Sequence, residues 1–324
     1  MKTPHFKAYP LTFKPIFKDR IWGGNKLKTE LNKNIPNNKT GESWEISAVP
    51  GDVSIIDKGV YEAQSLADLI LQYPEAILGT AVYANFGAQF PLLFKYLDAQ
   101  QDLSIQVHPN DTLAQKRHHS FGKTEMWYVM QADKKATILV GFKSNSTKEA
   151  YAEAVKQNTI VDLLDKIEVK TGDAFLLNTG TVHAIGAGIL IAEIQQSSDI
   201  TYRIYDFDRK DSNGNLRELH TDLALDAINY DLSNAKRNYQ NVPNYANDMV
   251  VSPFFTTKFL PLNGLVKIEK NNQTFTVYMC INGDFEVIHK NHRYAYTKGQ
   301  TILIPAAMTQ FKLSGIATLL EITI

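Results

Sequence analysis

Residues 103 to 111 read LSIQVHPND, and on an extended strand Gln106 and His108 leave the backbone on the same face, because side chains alternate with a period of two. Two groups with nitrogen or oxygen donors thus point into one space, while Leu103, Ile105 and Val107 fill the opposite face and Pro109 ends the strand where its missing N–H does no harm. A carboxylate follows at Glu125 in the strand-like run GKTEMWYVM, and a second imidazole, His183, comes after a turn rich in glycine and threonine. Two imidazoles, a carboxylate and a carboxamide form a nitrogen and oxygen set suited to one divalent ion, zinc above all, with one or two positions left for water and a substrate. Cys280 is the single cysteine, so neither an intrachain disulfide nor a cysteine-cluster metal site is available, and a thiolate-free set fits a catalytic centre better than a structural one. One buried histidine is more often a satisfied core residue than a ligand; the four residues together single out the metal.

Cations surround these positions. Lys95 interrupts the apolar run PLLFKYLDA, and since an unpaired buried ammonium is costly it should face a cavity or an anion, the plain alternative being a strand-edge lysine that reaches water. Lys123 lies two residues before Glu125 and therefore on the same strand face, beside the expected metal. Arg203 sits in DITYRIYDFDR four residues after Asp199, and either could reach an adjacent pocket; for Arg203 alone a salt bridge with Asp206 or Asp208 competes. An arginine fork with lysines near a metal suits a phosphate dianion. His118 and His119 fall in a polar stretch read as an exposed loop, and His5, His220, His289 and His292 have no partner at ligand spacing.

The elements that must position these residues are mostly short strands rich in Val, Ile, Thr, Tyr and Phe, bounded by Gly, Asn, Asp and Pro at the intervals of β-sandwiches and barrels. Helical signals are few. Ser65 can cap Leu66 to Tyr73 before Pro74, Ser146 with Glu149 forms a capping box ahead of an amphipathic stretch to about Ile167, and a third short helix can begin at Thr221. The expectation is an all-β chain with small helical inserts at about 65–80 and 146–167. The polar, proline-interrupted segment from Asn238 to Asp248 marks a boundary between a metal-binding unit, 1–237, and a C-terminal unit, 238–324.

A repeated element supports two units. From Gly172 the chain reads GDAFLLNTGTVH and from Gly299 it reads GQTILIPAAMT, each a turn glycine, an apolar strand, a tight turn and then His183 in one copy and Met308 or Thr309 in the other. Both resemble the second conserved motif of cupins, with Asn178-Thr179-Gly180 in place of the usual Pro-x-Gly turn. That resemblance implies two jelly-roll cupin barrels, the first keeping its metal chemistry and the second reduced to a structural or dimerising partner.

Composition narrows the classes of function. A chain of 324 residues with 44% hydrophobic content can bury a sizeable core. Its 34 Lys and Arg balance its 34 Asp and Glu, so no global field favours nucleic acid or an anionic membrane, and a basic site must be local. No stretch approaches the roughly 18 apolar residues of a membrane span, and Met1 to Pro10 has no apolar core, which points to a cytoplasmic protein with no membrane partner.

The segments LLFKYLDAQQDLSIQVHPND, GKTEMWYV and NTGTVHAIGAGILIAEIQQSSDITYRIYDFDR, with the early RIWGG and GESWEIS, together resemble the type I mannose-6-phosphate isomerases in their short bacterial form, from about Pro15 to Asp222. The resemblance implies an aldose–ketose isomerase that interconverts mannose 6-phosphate and fructose 6-phosphate through an enediol. It also implies one zinc ion per chain on Gln106, His108, Glu125 and His183, an essential Arg203, and a substrate and phosphate pocket lined by Lys95, Ser104 and Lys123. Asp199 falls on a position proposed for proton transfer; Asp199, Lys123 and a hydroxide on the metal all remain open as the base. Long members of the family carry a large helical domain between the glutamate and the second histidine, where this chain spends one modest helix, so a more open pocket is expected. Two other readings compete: a cupin oxygenase holding Fe(II), which the Gln106 ligand and nearby lysines disfavour, and a non-catalytic sugar-binding cupin, which could dispense with Arg203 and Lys123. The partner is a small sugar phosphate, and the chain is expected as a monomer or homodimer.

Overall fold

A computed structural model describes residues 5–211 and 213–324. Two antiparallel sheets face one another in the first two thirds of the chain. The larger runs, edge to edge, through Ile16–Gly24, Thr40–Ile46, Leu92–Ala99, Ile189–Gln196, Glu125–Ala132, Ala174–Leu177 and Lys236–Arg237. The smaller runs through Tyr202–Tyr205, Ile105–Val107, His183–Ile185, Thr137–Phe142 and Leu164–Glu168. Period-two alternation sorts their side chains. Leu97, Trp127, Val129 and Ile191 of the larger sheet meet Ile138, Val140 and Ile185 of the smaller one inside the jelly roll. Phe94, Tyr96, Met126 and Ile194 point out of the back of the larger sheet into a second core, and Ile105, Val107, Tyr202 and Ile204 point out of the smaller sheet beneath helices. Strands buried on both faces read as continuous apolar runs, so the polar residues at inward positions stand out as the lining of a cavity.

The C-terminal unit is a second cupin-like jelly roll. Its strands are ordered Asn247–Val251, Thr256–Glu269, Gln310–Thr323, Thr276–His289 and His292–Thr297, with Thr301–Ile304 also pairing with Thr276–His289. Leu260, Tyr278, Phe285, Val287, Ile302 and Leu313 fill its interior. The repeated glycines behave alike: Gly172 (φ 94°) and Gly299 (φ 86°) both adopt the left-handed conformation and feed the four-residue strands Ala174–Leu177 and Thr301–Ile304. Met308, near the step that carries His183 in the first copy, is fully buried among apolar neighbours. Leu11 bridges to Leu303, and the backbone N–H of Ala306 donates to Ile77 O at 3.1 Å, so the second barrel is clamped by the N-terminal segment and the first helical insert.

Several local expectations need correction. Ser65 caps Leu66–Gln72, accepting from the Asp68 N–H at 3.0 Å, and this helix ends before Pro74 as expected, but a second helix follows at once. Proline needs no N–H partner in a first turn, and it opens Pro74–Leu78, followed by Thr80–Phe86. In the second insert the cap is Thr147 rather than Ser146, and the helix Lys148–Lys156 stops well short of Ile167. Left-handed Asn158 (φ 57°) breaks it, and after the turn Ile160–Leu163 the chain enters the strand Leu164–Glu168. His118 closes a helix rather than sitting in a loop: Asn110 caps Asp111–His118 by accepting from the Leu113 N–H at 2.9 Å, His119 follows as the left-handed C-cap, and both histidines are exposed as expected. That helix buries only Ala114, so it has no apolar stripe to reveal it. Leu103 precedes its strand and faces the interior rather than the outer layer that holds Ile105 and Val107. Thr221–Ala227 is helical as expected, and no helix among the described residues is long and apolar enough to cross a membrane.

Candidate metal centre

Strand register brings the four expected ligands together. His183 pairs with Gln106 on one neighbouring strand, Arg203 pairs with Gln106 on the other, and all three face the larger sheet, whose inward positions include Glu125, Lys95 and Glu193. Left-handed Gly180 (φ 86°) donates its N–H to His108 O at 2.9 Å, pinning the turn before His183 to the end of the strand that carries Gln106. A Cβ there would meet Ala227 O at 2.9 Å, so glycine is needed for space as well as conformation.

His108 Nε2 lies 3.4 Å from one Glu125 oxygen and His183 Nε2 lies 3.2 Å from the other, while the Gln106 amide is 3.3 Å from His183 Nε2. The donor atoms of His108, Glu125 and His183 fall within 4.8 Å of one another, and all three residues are buried. Each imidazole is oriented from behind. His108 Nδ1–H donates to Ile200 O at 2.9 Å and His183 Nδ1–H to Thr181 O at 2.8 Å, which turns both Nε2 lone pairs toward the carboxylate. Burial, then the charge of Lys123, depress the His108 pKa to about 3 despite Glu125, so the ring is neutral and free to act as a ligand. Burial alone would raise the Glu125 pKa, but Lys123 and the two imidazoles hold it well below the usual carboxylate range. These contacts are therefore not ion pairs. They are lone pairs facing an ionised carboxylate whose two oxygens are wholly buried and accept no hydrogen bond. Lys123, 3.3 Å from Glu125 and 3.2 Å from His108 Nε2, supplies positive charge only at the edge. A cation among the four donors would relieve this crowding, and Gln106 would join the set through its amide oxygen once the amide was turned over. The donor set fits a divalent ion with nitrogen and oxygen preference.

The centre opens into a cavity of about 530 Å³, whose lining includes Lys95, Ser104, Gln106, Lys123, Asp199 and Arg203. Every expected substrate-side residue thus reaches one space. Lys95 is buried, 3.1 Å from Glu193, and its ammonium lies over the Trp44 ring at 5.1 Å. Burial would lower its pKa, yet Glu193 and Glu42 raise it, so it stays charged and already paired. Arg203 is not held by Asp206, which accepts from Arg209 and Arg217 instead. It donates through Nη1 to Glu218 O at 2.8 Å, while its buried Nε has no partner. Burial and the neighbouring Arg217 lower its pKa. Asp199 is exposed at the cavity and accepts no hydrogen bond among the described residues.

Sequence reasoning missed Arg20, Glu42, Trp44, Glu193 and Arg217 as cavity residues. Glu42 accepts from Arg20 Nε at 2.7 Å and from Trp44 Nε1 at 2.6 Å; Glu193 accepts from Trp127 Nε1 at 2.9 Å. A signal for Glu193 existed, since an acid inside the apolar run ILIAEI makes the same demand for a partner as Lys95 does. His118 bonds to Tyr202 Oη at 2.8 Å and His220 Nδ1 accepts from the Arg203 N–H at 3.2 Å, so neither is a ligand.

Comparison with known proteins adds a second line. Residues 11–156 match the phosphomannose isomerase type I catalytic domain, and residues 246–324 match the mannose-6-phosphate isomerase cupin domain. The chain is 37% identical over 312 residues to the mannose-6-phosphate isomerase ManA of Bacillus subtilis, covering 95% of this chain and 96% of that protein. It is also 37% identical over 311 residues to the mannose-6-phosphate isomerase of Streptococcus mutans, with the same coverage. The crystal structure of the mannose 6-phosphate isomerase from Bacillus subtilis superposes with a TM-score of 0.90 at 32% identity, covering 98% of this chain and 100% of that one.

Proposed function

Because the chain belongs to the type I phosphomannose isomerases, we infer that its cavity interconverts mannose 6-phosphate and fructose 6-phosphate. The observation that carries the reading is the buried, unsatisfied carboxylate of Glu125 facing two Nδ1-anchored imidazoles at the base of a cavity lined with cations. Gln106, His108, Glu125 and His183 would hold one divalent ion per chain, and their nitrogen and oxygen donors favour zinc. When bound, that ion supplies Lewis acidity that polarises the sugar oxygens and offsets negative charge on an enediolate.

The rest of the chemistry falls to this chain's own side chains. The reaction moves a proton between C1 and C2 of an open-chain sugar. Lys123 is a poor acceptor, because its ammonium is tied to Glu125 at 3.3 Å, whereas Asp199 presents an uncommitted carboxylate to the cavity. Asp199 is therefore assigned as the group that carries the proton, with Lys123 holding charge beside the reacting oxygens. The unpartnered Nε of Arg203 is a preorganised donor for the oxyanion that develops at C1 or C2. Ser104 and the Arg217 guanidinium receive the phosphate, with Lys95 and Lys123 raising the positive potential behind them. The same reading takes 1–237 as the catalytic unit and 238–324 as the metal-free barrel, in a cytoplasmic enzyme acting as a monomer or homodimer.

A coupled assay on mannose 6-phosphate with and without a chelator, run beside elemental analysis, tests the site. The purified chain should contain close to one zinc, lose activity with the metal, and regain it on zinc addition. His183→Ala should remove both metal and activity, and Arg203→Ala should keep the metal while turnover falls about 100-fold or more. Undiminished turnover in chelated enzyme or in His183→Ala would overturn the assignment.

A further inference from the structure

Asp206 follows the strand that carries Arg203 and is buried, yet it does not itself line the cavity. Its carboxylate collects two guanidinium groups. Arg209 donates from Nη2 to one oxygen, while Arg217 donates from Nε to the other at 2.6 Å and from Nη2 to the first. The two arginines lead to different places. Arg209 doubles back on the Asp206 carbonyl at 3.2 Å and reaches Asp102 O, which pins the turn at left-handed Phe207 (φ 55°) and Asp208 (φ 52°) to the segment just before Ser104. Arg217, by contrast, stands in the cavity wall.

Asp206 thus grips the Nε and Nη2 edge of Arg217 with two bonds, which fixes the guanidinium plane and leaves Nη1, without a hydrogen bond among the described residues, as the end free for a ligand. A long side chain that is already held gives up less rotamer freedom on binding an anion than one that is loose. The carboxylate also answers a problem of like charge. Burial, then Arg217 and other arginines nearby, lower the Arg203 pKa, and Asp206 opposes them. Burial would raise the Asp206 pKa, but hydrogen bonds from Arg217 and Arg209 hold it below the usual carboxylate range, so it stays ionised. Arg203, Arg209 and Arg217 against this single carboxylate leave an excess of positive charge for a dianion. Arg203 is anchored independently of Asp206: the His220 N–H donates to Arg203 O at 2.7 Å, the Arg203 N–H donates to His220 Nδ1, and Arg203 Nη1 donates to Glu218 O.

We propose that Asp206 is a positioning residue for the phosphate end of the substrate: it fixes Arg217 so that Nη1 meets the phosphate, and it takes no part in moving the proton. Removing its charge disturbs the grip on the phosphate and spares the reacting end, because Arg203 keeps its own anchors. The proposal rests on the isomerase reading above and on Arg217 as a phosphate ligand.

The test uses the full-length, metal-loaded chain, with affinity read by calorimetric titration with mannose 6-phosphate, turnover by a coupled assay, and metal content by elemental analysis. Asp206→Asn should weaken binding and raise KM about tenfold or more, while kcat stays within about threefold and the metal is retained. Added to Arg217→Gln, it should deepen the loss no further, since a residue that acts through another has no effect once the other is gone. Arg217→Lys keeps a charge in the cavity but cannot take the two-bond grip, so it should lose as much affinity as Arg217→Gln, a comparison that stands even where Asp206→Asn does not fold. Wild-type affinity in Asp206→Asn or in Arg217→Lys, or losses from Asp206→Asn and Arg217→Gln that simply add, overturns the proposal. So does a fall in kcat with KM unchanged, which would place Asp206 at the reacting end. Wild-type protein that binds mannose 6-phosphate without turning it over refutes the isomerase reading instead, and the affinities of the variants still decide the role of Asp206.

Discussion

Glu42 and Glu125 are both buried acids kept ionised, and the difference between their neighbours separates stability from chemistry. Burial would raise the Glu42 pKa, but Lys95 and Arg20, with hydrogen bonds from Arg20 and Trp44, bring it down to about 2 from an ordinary 4.5. Its charges and bonds are satisfied within the chain, whereas Glu125 is left open to a cation. A folded-state pKa below the unfolded one contributes stability that is fully present above pH 4.5 and is lost as pH falls through that window toward 2. For a shift of this size the contribution is on the order of 3 kcal/mol. Glu42→Gln should therefore lower the urea midpoint markedly at pH 6 and much less at pH 3, where wild type has already begun to lose the same term. An equal deficit at both pH values would show that the carboxylate charge is not what Glu42 supplies. The sequence announced half of this network. Lys95 inside an apolar run had to have a partner, but the partners, Glu42 and Glu193, come from two flanking strands, and no spacing along the chain encodes which strands pair.

At the scale of elements, period-two strands were legible because both layers of the jelly roll impose alternation, and the candidate ligands on them were legible for the same reason. Gln106 and Glu125 lie on strands, and His183 opens one behind its turn. Helix limits were less legible. The helix Asp111–His118 packs little and so leaves no stripe, and the strand Leu164–Glu168 hid behind a helical pattern that only the left-handed Asn158 interrupts. The insert from Leu66 to Phe86 shows what such elements do in this fold. Its helices Pro74–Leu78 and Thr80–Phe86 meet at Gly79, where the backbone turns with φ 95° and a Cβ would sit 2.3 Å from Gln273 O of the second barrel. The N–H groups of Thr80 and Ala81 donate to Asn272 and Gln273 carbonyls, so this glycine is a docking point between the units. Gly79→Ala must push that docking apart, whereas Gly51→Ala, at φ 87° with nothing within 4 Å, carries conformational strain alone. The first should cost more than the second by about 1–3 kcal/mol in urea unfolding. Equal costs would mean that the contact with Gln273 yields freely.

For the molecule as a whole, the two-barrel division read from the repeat is one of topology rather than of packing. The strands of each barrel pair among themselves, yet one continuous apolar core joins Phe94, Met126 and Ile194 from the back of the first barrel to Phe259, Phe275 and Leu320 of the second. The insert contributes Leu69, Ile70 and Ile77 to that core, and Leu11 and Phe13 enter from the N-terminal segment. Separating the barrels would expose all of these groups at once, an opening far costlier than a hinge between independent domains. The two barrels should therefore unfold as one cooperative unit, and the chain carries its own probes for this. Trp22, Trp44 and Trp127 all lie in the first barrel, and Cys280, the only cysteine, is buried in the second with its thiol pushed up to about 12. Tryptophan fluorescence along a urea series reports one half, and reaction of Cys280 with a thiol reagent reports the other, since the buried, protonated thiol is inert until its barrel opens. The two midpoints should coincide. If Cys280 became reactive at clearly lower urea than the tryptophan transition, the second barrel would be an independently opening domain, and the shared core would be a contact surface rather than the centre of the fold.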